Sequence, residues 1–330
     1  EGSVVTALGI RRSEKALNYN VQQLNSDAIN TVKDPNFVNS LNGKIAGVTI
    51  NASSSGVGGE SKVVMRGTKS ISQSSNALYV IDGVPVYSSE NYGETGMGSR
   101  GRSDAMADIN SEDIESISVL TGAAAAALYG SQAANGAIVI TTKKGSKDKT
   151  TLSVSSNTEV TQPVLYYQFQ NRYGNNAGEA TSWGNLLPEN YRFNYNPATD
   201  YLQNGVISNV NVNFSTGNER NQTFASAGAV NSMGNIPNNA YNKYSVTFRN
   251  TSSFVQNKLH LDVSAQYIRQ NDRNMINQGV YLNPLVGAYL YPRGENWDYC
   301  RTYEQYSATR KISLQNWPWM KLGGVEWDNP

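Results

Sequence analysis

The chain has 330 residues, of which 38% are hydrophobic and 16% charged, and it contains 29 Gly and 20 Tyr. The 27 Lys and Arg residues nearly balance the 26 Asp and Glu residues, so the net charge of +1 gives no sign of a basic surface for nucleic acid. The single cysteine, Cys300, excludes an internal disulfide, and no Cys/His cluster has the spacing of a metal site, so we expect no metal or other cofactor.

The first 150 residues predict short elements of mixed secondary structure. Asn36 to Leu41 favours a helical turn, and the alanine-rich segment Gly122 to Tyr129 favours a helix that ends at Gly130. Short apolar runs predict strands at Val63–Arg66, Ala77–Ile81, Ile114–Leu120 and Ala137–Thr142. These elements together predict a compact α+β unit.

A basic stretch, Lys143 to Lys149, predicts a linker, and a different pattern follows it. Apolar and polar residues then alternate with period two, which places successive side chains on opposite faces of a strand. The clearest case is 259–267, and similar patterns occur at 209–215 and 244–249. A fourth stretch begins at Leu152, and 221–232 gives a fifth and weaker one.

Alternation alone also fits a soluble or surface carbohydrate-binding β-protein, such as a β-sandwich. Length favours membrane strands, because these stretches approach the ~9–11 residues of a tilted spanning strand, against ~5–6 in globular proteins. The sequence contains no run of about 18 apolar residues, so it predicts no membrane helix. A closed barrel is the other structure that pairs all of its backbone groups in lipid.

The connections between the predicted strands alternate in length. Gly217–Arg220 and Val255–Gln256 are short, Asn231–Ala240 is of medium length, and Thr161–Gly205 and Asn271–Pro330 are long. Short turns on one side and longer loops on the other are typical of outer-membrane barrels. Five strands are too few to close a barrel, which needs ~8, so we expect the chain to be part of a longer protein.

Val64–Gly67, followed by Ala77–Val86, resembles the plug signature of the TonB-dependent transporters. Asp108–Leu120, Ala126–Ser131 and Ala134–Gly145 resemble the SusC/RagA branch of that family. Thr121-Gly122-Ala123 departs from the Lys-Asp-Ala that the branch often has. Val4–Ile10 resembles the region at or just after the TonB box, and Asn283–Glu295 and Asn316–Trp319 resemble later segments.

The resemblance implies an α+β plug domain followed by an antiparallel transmembrane β-barrel that is incomplete in this chain. We place a TonB-box region and linker at 1–20, the plug at 21–148, and the first barrel strands and extracellular loops at 149–330. The barrel would lie in the bacterial outer membrane, and no enzymatic activity is implied. We expect one set of side chains to face lipid (Leu259, Leu261, Val263, Tyr267) and the interleaved set to face the lumen (His260, Asp262, Ser264, Gln266).

The resemblance also assigns roles to individual residues. It places TonB coupling at Val4, Val5, Thr6 and Ala7, where an extended peptide could pair its backbone with a sheet edge. The plug motifs contain Arg66, Gly67, Asp82, Gly83, Gly130 and Gly136. The glycines suit turns and caps, and Asp82-Gly83 is a hairpin signal. Asp82 is also a candidate ion-pair partner for Arg66.

Aromatic residues are frequent in the two long predicted loops (Tyr166, Tyr167, Tyr173, Trp183, Tyr191, Trp297, Trp317, Trp319). Their faces suit sugar rings or peptides, but loop aromatics also pack loops together or sit at a membrane interface. As candidate ligand contacts we single out Tyr166, Tyr167, Trp183 and Trp297.

The function implied by the resemblance is TonB-dependent import of nutrient oligomers, with oligosaccharides as the first expectation. A SusD-like surface lipoprotein would form the lid, TonB would supply energy, and outer-membrane lipids would surround the barrel. Oligopeptide import is the alternative within the branch. A carbohydrate-binding β-protein is the alternative from another class.

Overall fold

A computed structural model describes most of the chain: residues 3–5, 11–13, 21–30, 34–52, 56–70, 75–86, 98–99, 105–165, 167–176, 179, 181–191, 195–256, 258–279, 283–316, 321–322 and 325–326. Within these ranges, no helix combines the length and the apolar character that crossing a membrane requires.

Short elements fill the chain up to residue 142. They are β1 (Ser3–Val5), β2 (Arg11–Ser13), β3 (Val21–Asn25), α1 (Ser26–Ile29), β4 (Val48–Asn51), β5 (Lys62–Met65), β6 (Leu78–Ile81), β7 (Val84–Val86), β8 (Gly98–Ser99), β9 (Ile114–Leu120), α2 (Gly122–Tyr129) and β10 (Ala137–Thr142). Single 3-10 turns lie at Asn39–Leu41, Ala105–Asp108, Ser111–Asp113 and Ser131–Ala133. We call the described part of residues 21–150 the N-terminal unit.

The N-terminal unit is built on a five-stranded sheet in the order β3-β9-β10-β6-β7. β10 and β6 are parallel, and the other neighbours are antiparallel. One face of the sheet packs on Phe37, Leu41 and the β4–β5 hairpin, and the other packs on α2 through Ala125. Both faces of the sheet are covered, so β9 and β10 are buried along nearly their whole length, including Ser116 and Ser118. The predicted α+β unit is confirmed.

Five long strands follow: β11 (Thr151–Thr161), β12 (Gly205–Gly217), β13 (Asn221–Met233), β14 (Ala240–Phe254) and β15 (Leu259–Arg273). They pair in chain order as an antiparallel meander, which we call the wall sheet. Each strand has 11 to 15 residues, which is enough for a tilted strand to cross a bilayer. The five strands predicted from alternation are confirmed.

The two faces of the wall sheet differ in chemistry. The outer face exposes a band of apolar side chains that includes Leu152, Val212, Phe248 and Leu261. The inner face carries polar side chains and contacts the N-terminal unit, for example through Asp113. The β14–β15 register places the β15 side chains predicted to face lipid on the outer face of the sheet. It places the β15 side chains predicted to face the lumen on the inner face.

The connections follow the predicted order of long, short, medium, short and long. Residues 218–220 connect β12 to β13, and the connection from β14 to β15 lies between Phe254 and Leu259, where Val255 and Gln256 both have positive φ. The long connections carry elements that alternation did not predict: a π-helical turn (Pro197–Tyr201), β16 (Gln278–Gly279), α3 (Pro284–Leu290), a 3-10 turn (Trp297–Arg301), β17 (Glu304–Ser307), β18 (Ile312–Gln315), β19 (Lys321–Leu322) and β20 (Val325–Glu326).

Candidate functional site

Inner-face residues of the wall sheet lie in rows, because the antiparallel registers continue unbroken across all five strands. The row near the short turns contains Thr151, Ser215, Phe224, Arg249 and Ser264. Rows further along the strands lead towards the long loops. These rows face the N-terminal unit, and we call the boundary between the unit and the wall sheet the seam.

A charged cluster holds the seam at β14 and β15. Arg249 donates two parallel hydrogen bonds to Asp262, from Nε to Oδ1 at 2.9 Å and from Nη2 to Oδ2 at 2.8 Å. Its Nη1 reaches across the seam to Oδ2 of Asp82 at 2.9 Å and also donates to the hydroxyl of Thr142. Lys144 Nζ lies 3.3 Å from Asp262 Oδ2. We call Asp82, Arg249, Asp262 and Lys144 the ion network.

The turn between β6 and β7 positions Asp82 for this contact. Asp82 and Gly83 have φ of 47° and 89°, the left-handed values of a tight hairpin, which confirms the predicted turn. The Asp82 carboxylate also accepts a hydrogen bond from the backbone N of Thr142 at 3.0 Å. The predicted pairing of Asp82 with Arg66 is wrong: Asp82 instead pairs with an arginine of the wall, because the turn points towards the seam.

Two more buried charged groups cross the seam near its middle. Lys243 on β14 donates from Nζ to the backbone carbonyls of Ala107 and Ile109. Asp113 accepts hydrogen bonds at Oδ2 from Ser226 at 2.9 Å and from Thr247 at 2.8 Å. Burial raises the pKa of the Asp113 carboxyl, because desolvation outweighs these hydrogen bonds. The β13–β14 part of the seam therefore relies on desolvated ionisable groups.

At β11 and β12 the wall offers only uncharged hydrogen-bonding groups over four successive rows. We call these eight residues the amide–hydroxyl ladder: Thr151, Ser153, Ser155 and Asn157 on β11, and Asn209, Asn211, Asn213 and Ser215 on β12.

Hydrogen bonds join the ladder to the N-terminal unit at more than one row. Asn110 Nδ2 donates to Asn211 Oδ1 at 2.9 Å, and Ser155 Oγ donates to Glu112 Oε1 at 3.3 Å. The backbone N of Ser146 donates to Ser215 Oγ at 2.7 Å, and the hydroxyls of the same two residues are also 2.7 Å apart. Apart from the Glu112 carboxylate, the groups in these bonds are uncharged, in contrast to the ionic contacts at β14.

Between the described residues, spaces lie at three levels of the seam. The upper space, about 490 Å³, is lined by Asp34, Gly58, Ile207 and Asn239 among others and lies at the loop end. The middle space, about 30 Å³, is lined by residues that include Asn110, Ser155, Asn211 and Lys243. The lower space, about 500 Å³, lies at the short-turn end beside Lys143, Ser153, Asn213 and Ser215. In the part of the chain that is described, no group of three or more His, Cys, Asp or Glu is placed to hold a metal ion.

The predicted plug-motif glycines lie at turns and caps. Gly67, Gly83, Gly130 and Gly136 all have positive φ, and Gly130 follows the last residue of α2. At Gly136 space is also limiting, since a Cβ would overlap the Sδ of buried Met65 and lie 3.1 Å from the carbonyl oxygen of Leu120. Glycine at position 136 therefore allows the backbone before β10 to pack closely against Met65 and Leu120.

The loop aromatics divide into packed and exposed rings. Trp297 stacks on Tyr195 with ring centroids 4.1 Å apart, and both lie in a cluster with Tyr201 and Tyr291. Buried Arg293 lies over the Tyr195 ring and donates to the Tyr195 carbonyl at 2.9 Å. This arrangement fits the packing role that was weighed for the loop aromatics.

Two of the proposed ligand contacts have aromatic rings that are exposed to solvent. Tyr167 is 80% exposed and Trp183 is 75% exposed. Tyr166, Trp317 and Trp319 lie outside the described residues. Cys300 is buried in the loop cluster, as expected for a thiol without a catalytic role, and burial raises its pKa to about 12. The ligand role of Tyr167, Trp183 and Trp297 stays a prediction.

The candidate TonB-coupling segment is partly described. Val4 and Val5 lie in β1, which pairs antiparallel with β2 in the register Val4↔Arg12 and Val5↔Arg11. Thr6 and Ala7 lie outside the described residues. The backbone at Val4 and Val5 is thus extended, which is the conformation that strand addition requires.

Sequence reasoning did not find the most connected residues of the seam, namely Arg249, Lys243 and Asp113. One signal was present: Lys243 and Arg249 are charged residues on the polar side of an alternating stretch, where a lumen-facing charge needs a partner. The partners could not be identified, because they lie far away in the chain; Asp82 and Arg249 are 167 positions apart.

Comparison with known proteins places this architecture in a family. Residues 13–137 match the family described as TonB-dependent Receptor Plug Domain. The TonB-dependent receptor SusC of Bacteroides thetaiotaomicron is 28% identical over 260 residues, which cover 77% of this chain and 25% of SusC. A TonB-dependent receptor of Formosa agariphila is 27% identical over 232 residues, or 68% of this chain and 21% of that receptor. The chain thus spans a quarter or less of the length of these relatives.

Solved structures show the same fold. The RagAB peptide importer in its open-open state has a TM-score of 0.60 at 20% identity, covering 82% of this chain and 32% of the importer chain. In the closed-closed state the TM-score is 0.58 at 21% identity, covering 78% and 31%. An α+β unit lodged against long antiparallel strands is therefore shared with these importer chains.

Proposed function

This chain belongs to the SusC/RagA-type TonB-dependent receptors, and we propose that the whole protein imports nutrient oligomers across the outer membrane. The N-terminal unit is the plug in this proposal, and the wall sheet is the first part of the barrel. The observation that carries the proposal is the seam, where buried polar and charged contacts attach a unit with the plug-domain match to the inner face of membrane-length strands.

The amide–hydroxyl ladder supports neutral oligosaccharides as the imported class. Sugar hydroxyls donate and accept hydrogen bonds, and Asn, Ser and Thr side chains do the same without demanding a charge. On β11 and β12 these four rows offer no charged group to pair with a peptide's terminal ammonium or carboxylate. Oligopeptide import is the rival within the family, and the RagAB peptide importer shares the fold.

Two partners complete the proposed cycle. A SusD-like surface lipoprotein would cover the loop end, where the packed cluster around Tyr195, Tyr291 and Trp297 gives the long loops a fixed shape. TonB would bind on the short-turn side at Val4 to Ala7 by strand addition. Ligand would enter at the loop end, where Tyr166, Tyr167, Trp183 and Trp297 are the proposed contacts.

Calorimetric titration of the full-length protein, purified with its lid lipoprotein, tests this proposal. One arm uses a panel of neutral oligosaccharides, and the other uses a mixture of oligopeptides from a protein digest. We expect heat of binding in the oligosaccharide arm only. Binding in the peptide arm alone would establish the rival substrate, and binding in neither arm would contradict oligomer import.

A further inference from the structure

The three spaces of the seam lie in line along the same strands. On β12 the lining moves from Ile207 in the upper space, through Asn211 in the middle, to Ser215 in the lower space. On β11 it moves from Ser155 in the middle space to Ser153 in the lower one. The series therefore connects the loop end with the short-turn end along β11 to β13.

Of these three spaces, only the middle one is narrow. The middle space is about 30 Å³, whereas the spaces above and below are about 490 and 500 Å³. At this level the Asn110–Asn211 and Glu112–Ser155 hydrogen bonds cross the seam. Gly228 lies behind them, where a Cβ would be 2.9 Å from both Asn110 Nδ2 and Asn211 Oδ1. On the β11–β12 side these two side-chain contacts separate the two large spaces, and Lys243 lines the β14 side of the same level.

The opposite side of the seam is attached more strongly. Arg249 bridges Asp262 of the wall and Asp82 of the N-terminal unit, and its side chain is only 9% exposed. Lys243 is bound to two carbonyls of the unit. Hydrogen bonds with an ionised partner are roughly twice as strong as neutral ones. At β11 and β12 the bond from Ser155 to the Glu112 carboxylate is long, at 3.3 Å, and the Asn110–Asn211 bond is neutral. A pull on the unit should therefore break these contacts before the shorter ionic contacts at β14 and β15.

We infer that the imported oligomer passes between the N-terminal unit and strands β11 and β12, while the unit stays attached to β13, β14 and β15 through Asp113, Lys243 and the ion network. This inference rests on the proposed import function. Opening requires the Asn110–Asn211 and Glu112–Ser155 contacts to separate, which joins the three spaces into one conduit. The conduit's wall side is the amide–hydroxyl ladder, to which a chain of sugar hydroxyls can transfer its hydrogen bonds step by step.

Cysteine accessibility in cells tests the route. Ser155→Cys on β11 is compared with Ile268→Cys on β15, which lies in the same row of the inner face. Both are made in full-length protein with Cys300→Ser, and a small charged methanethiosulfonate is added to cells with and without TonB. We expect TonB to raise the labelling rate at Ser155→Cys by roughly fivefold and to leave Ile268→Cys unchanged.

A second pair of variants tests the route by obstruction. Ser155→Trp places a bulky ring in the narrow level, and Ser156→Trp places the same ring on the outer face of the same strand. The probe is a tritium-labelled mixture of neutral oligosaccharides. We expect Ser155→Trp to lower uptake by roughly tenfold while binding is kept, and Ser156→Trp to leave both unchanged, because only the first ring obstructs the conduit.

The outcomes separate this route from the proposed function. If parental cells show no TonB-dependent uptake, the import proposal itself fails. If uptake occurs but Ser155→Cys gains no labelling, or if Ile268→Cys gains as much, the route is wrong. Parental uptake by Ser155→Trp would also overturn it.

Discussion

Arg249 shows how one residue joins the two parts of the molecule. Its guanidinium binds Asp262 in a bidentate arrangement within the wall sheet and uses Nη1 to reach Asp82 across the seam. The desolvation of an arginine is costly, and here hydrogen bonds to two carboxylates and Thr142 offset that cost. The plug-motif aspartate therefore binds Thr142 of its own unit and also Arg249 of the wall sheet.

Gly136→Ala should destabilise the N-terminal unit by about 3 kcal/mol, because the residue has φ of 110° and its Cβ would overlap Met65. Gly67→Ala is the matched control, since φ is 85° but nothing lies within 4 Å of the new Cβ. It should cost only about 1 kcal/mol. Hydrogen exchange of the β6 and β10 amides in the full-length protein measures both values. Equal losses would contradict the crowding at Gly136.

Sequence patterns predicted backbone features better than side-chain partners at this scale. Asp82-Gly83 was predicted as a turn from local φ preferences, and the structure has left-handed φ at both residues. The partner of Asp82 was predicted from its own unit, but the turn points to a wall strand that lies 167 residues further on. Turn chemistry is local, whereas ion-pair partners depend on how two separate elements pack.

The wall strands are the elements that sequence reasoning predicted best. Their clearest period-two patterns continue for six to nine residues, and a shift by one residue would turn these apolar side chains inwards, so the register is well specified. The short β3, β4 and β7 were not predicted, because polar residues or proline interrupt them, whereas the equally short β5 and β6 contain continuous apolar runs. The loop elements α3 and β17–β18 lie in a segment without clear alternation.

Val263→Arg should destabilise the folded barrel by ~2–4 kcal/mol near mid-bilayer, because the side chain would enter hydrocarbon. Ser264→Arg is the matched control on the next residue of β15, where the opposite face of the strand is polar. It should be tolerated far better. Denaturant titration of the full-length protein in lipid vesicles gives both free energies. Similar losses at the two positions would refute the assignment of the faces.

At the scale of the whole molecule, the strong and weak contacts of the seam are separated in space. Charged groups attach the N-terminal unit at β14 and β15, and mostly uncharged groups attach it at β11 and β12. The connection from β10 to β11 runs past the short-turn end, where Lys147 pairs with Glu219 at 2.9 Å. A force applied from the short-turn side would therefore act on a unit that is held strongly at β14 and β15 and weakly at β11 and β12.

In the proposed transport cycle, energy enters at the N-terminus while ligand binds at the loop end. Deleting Val4 to Ala7 should abolish uptake and leave ligand binding nearly unchanged, because a strand-addition segment transmits force and makes no ligand contacts. Proline at Val4 or Val5 should partly reproduce this loss, since each proline removes a backbone donor from β1.

Paired measurements of uptake in cells and ligand titration of the purified full-length protein test this claim most directly. The account predicts that the truncated protein binds oligosaccharide with the parental affinity but accumulates none against a gradient. Accumulation by the truncated protein at the parental rate would contradict TonB coupling through this segment.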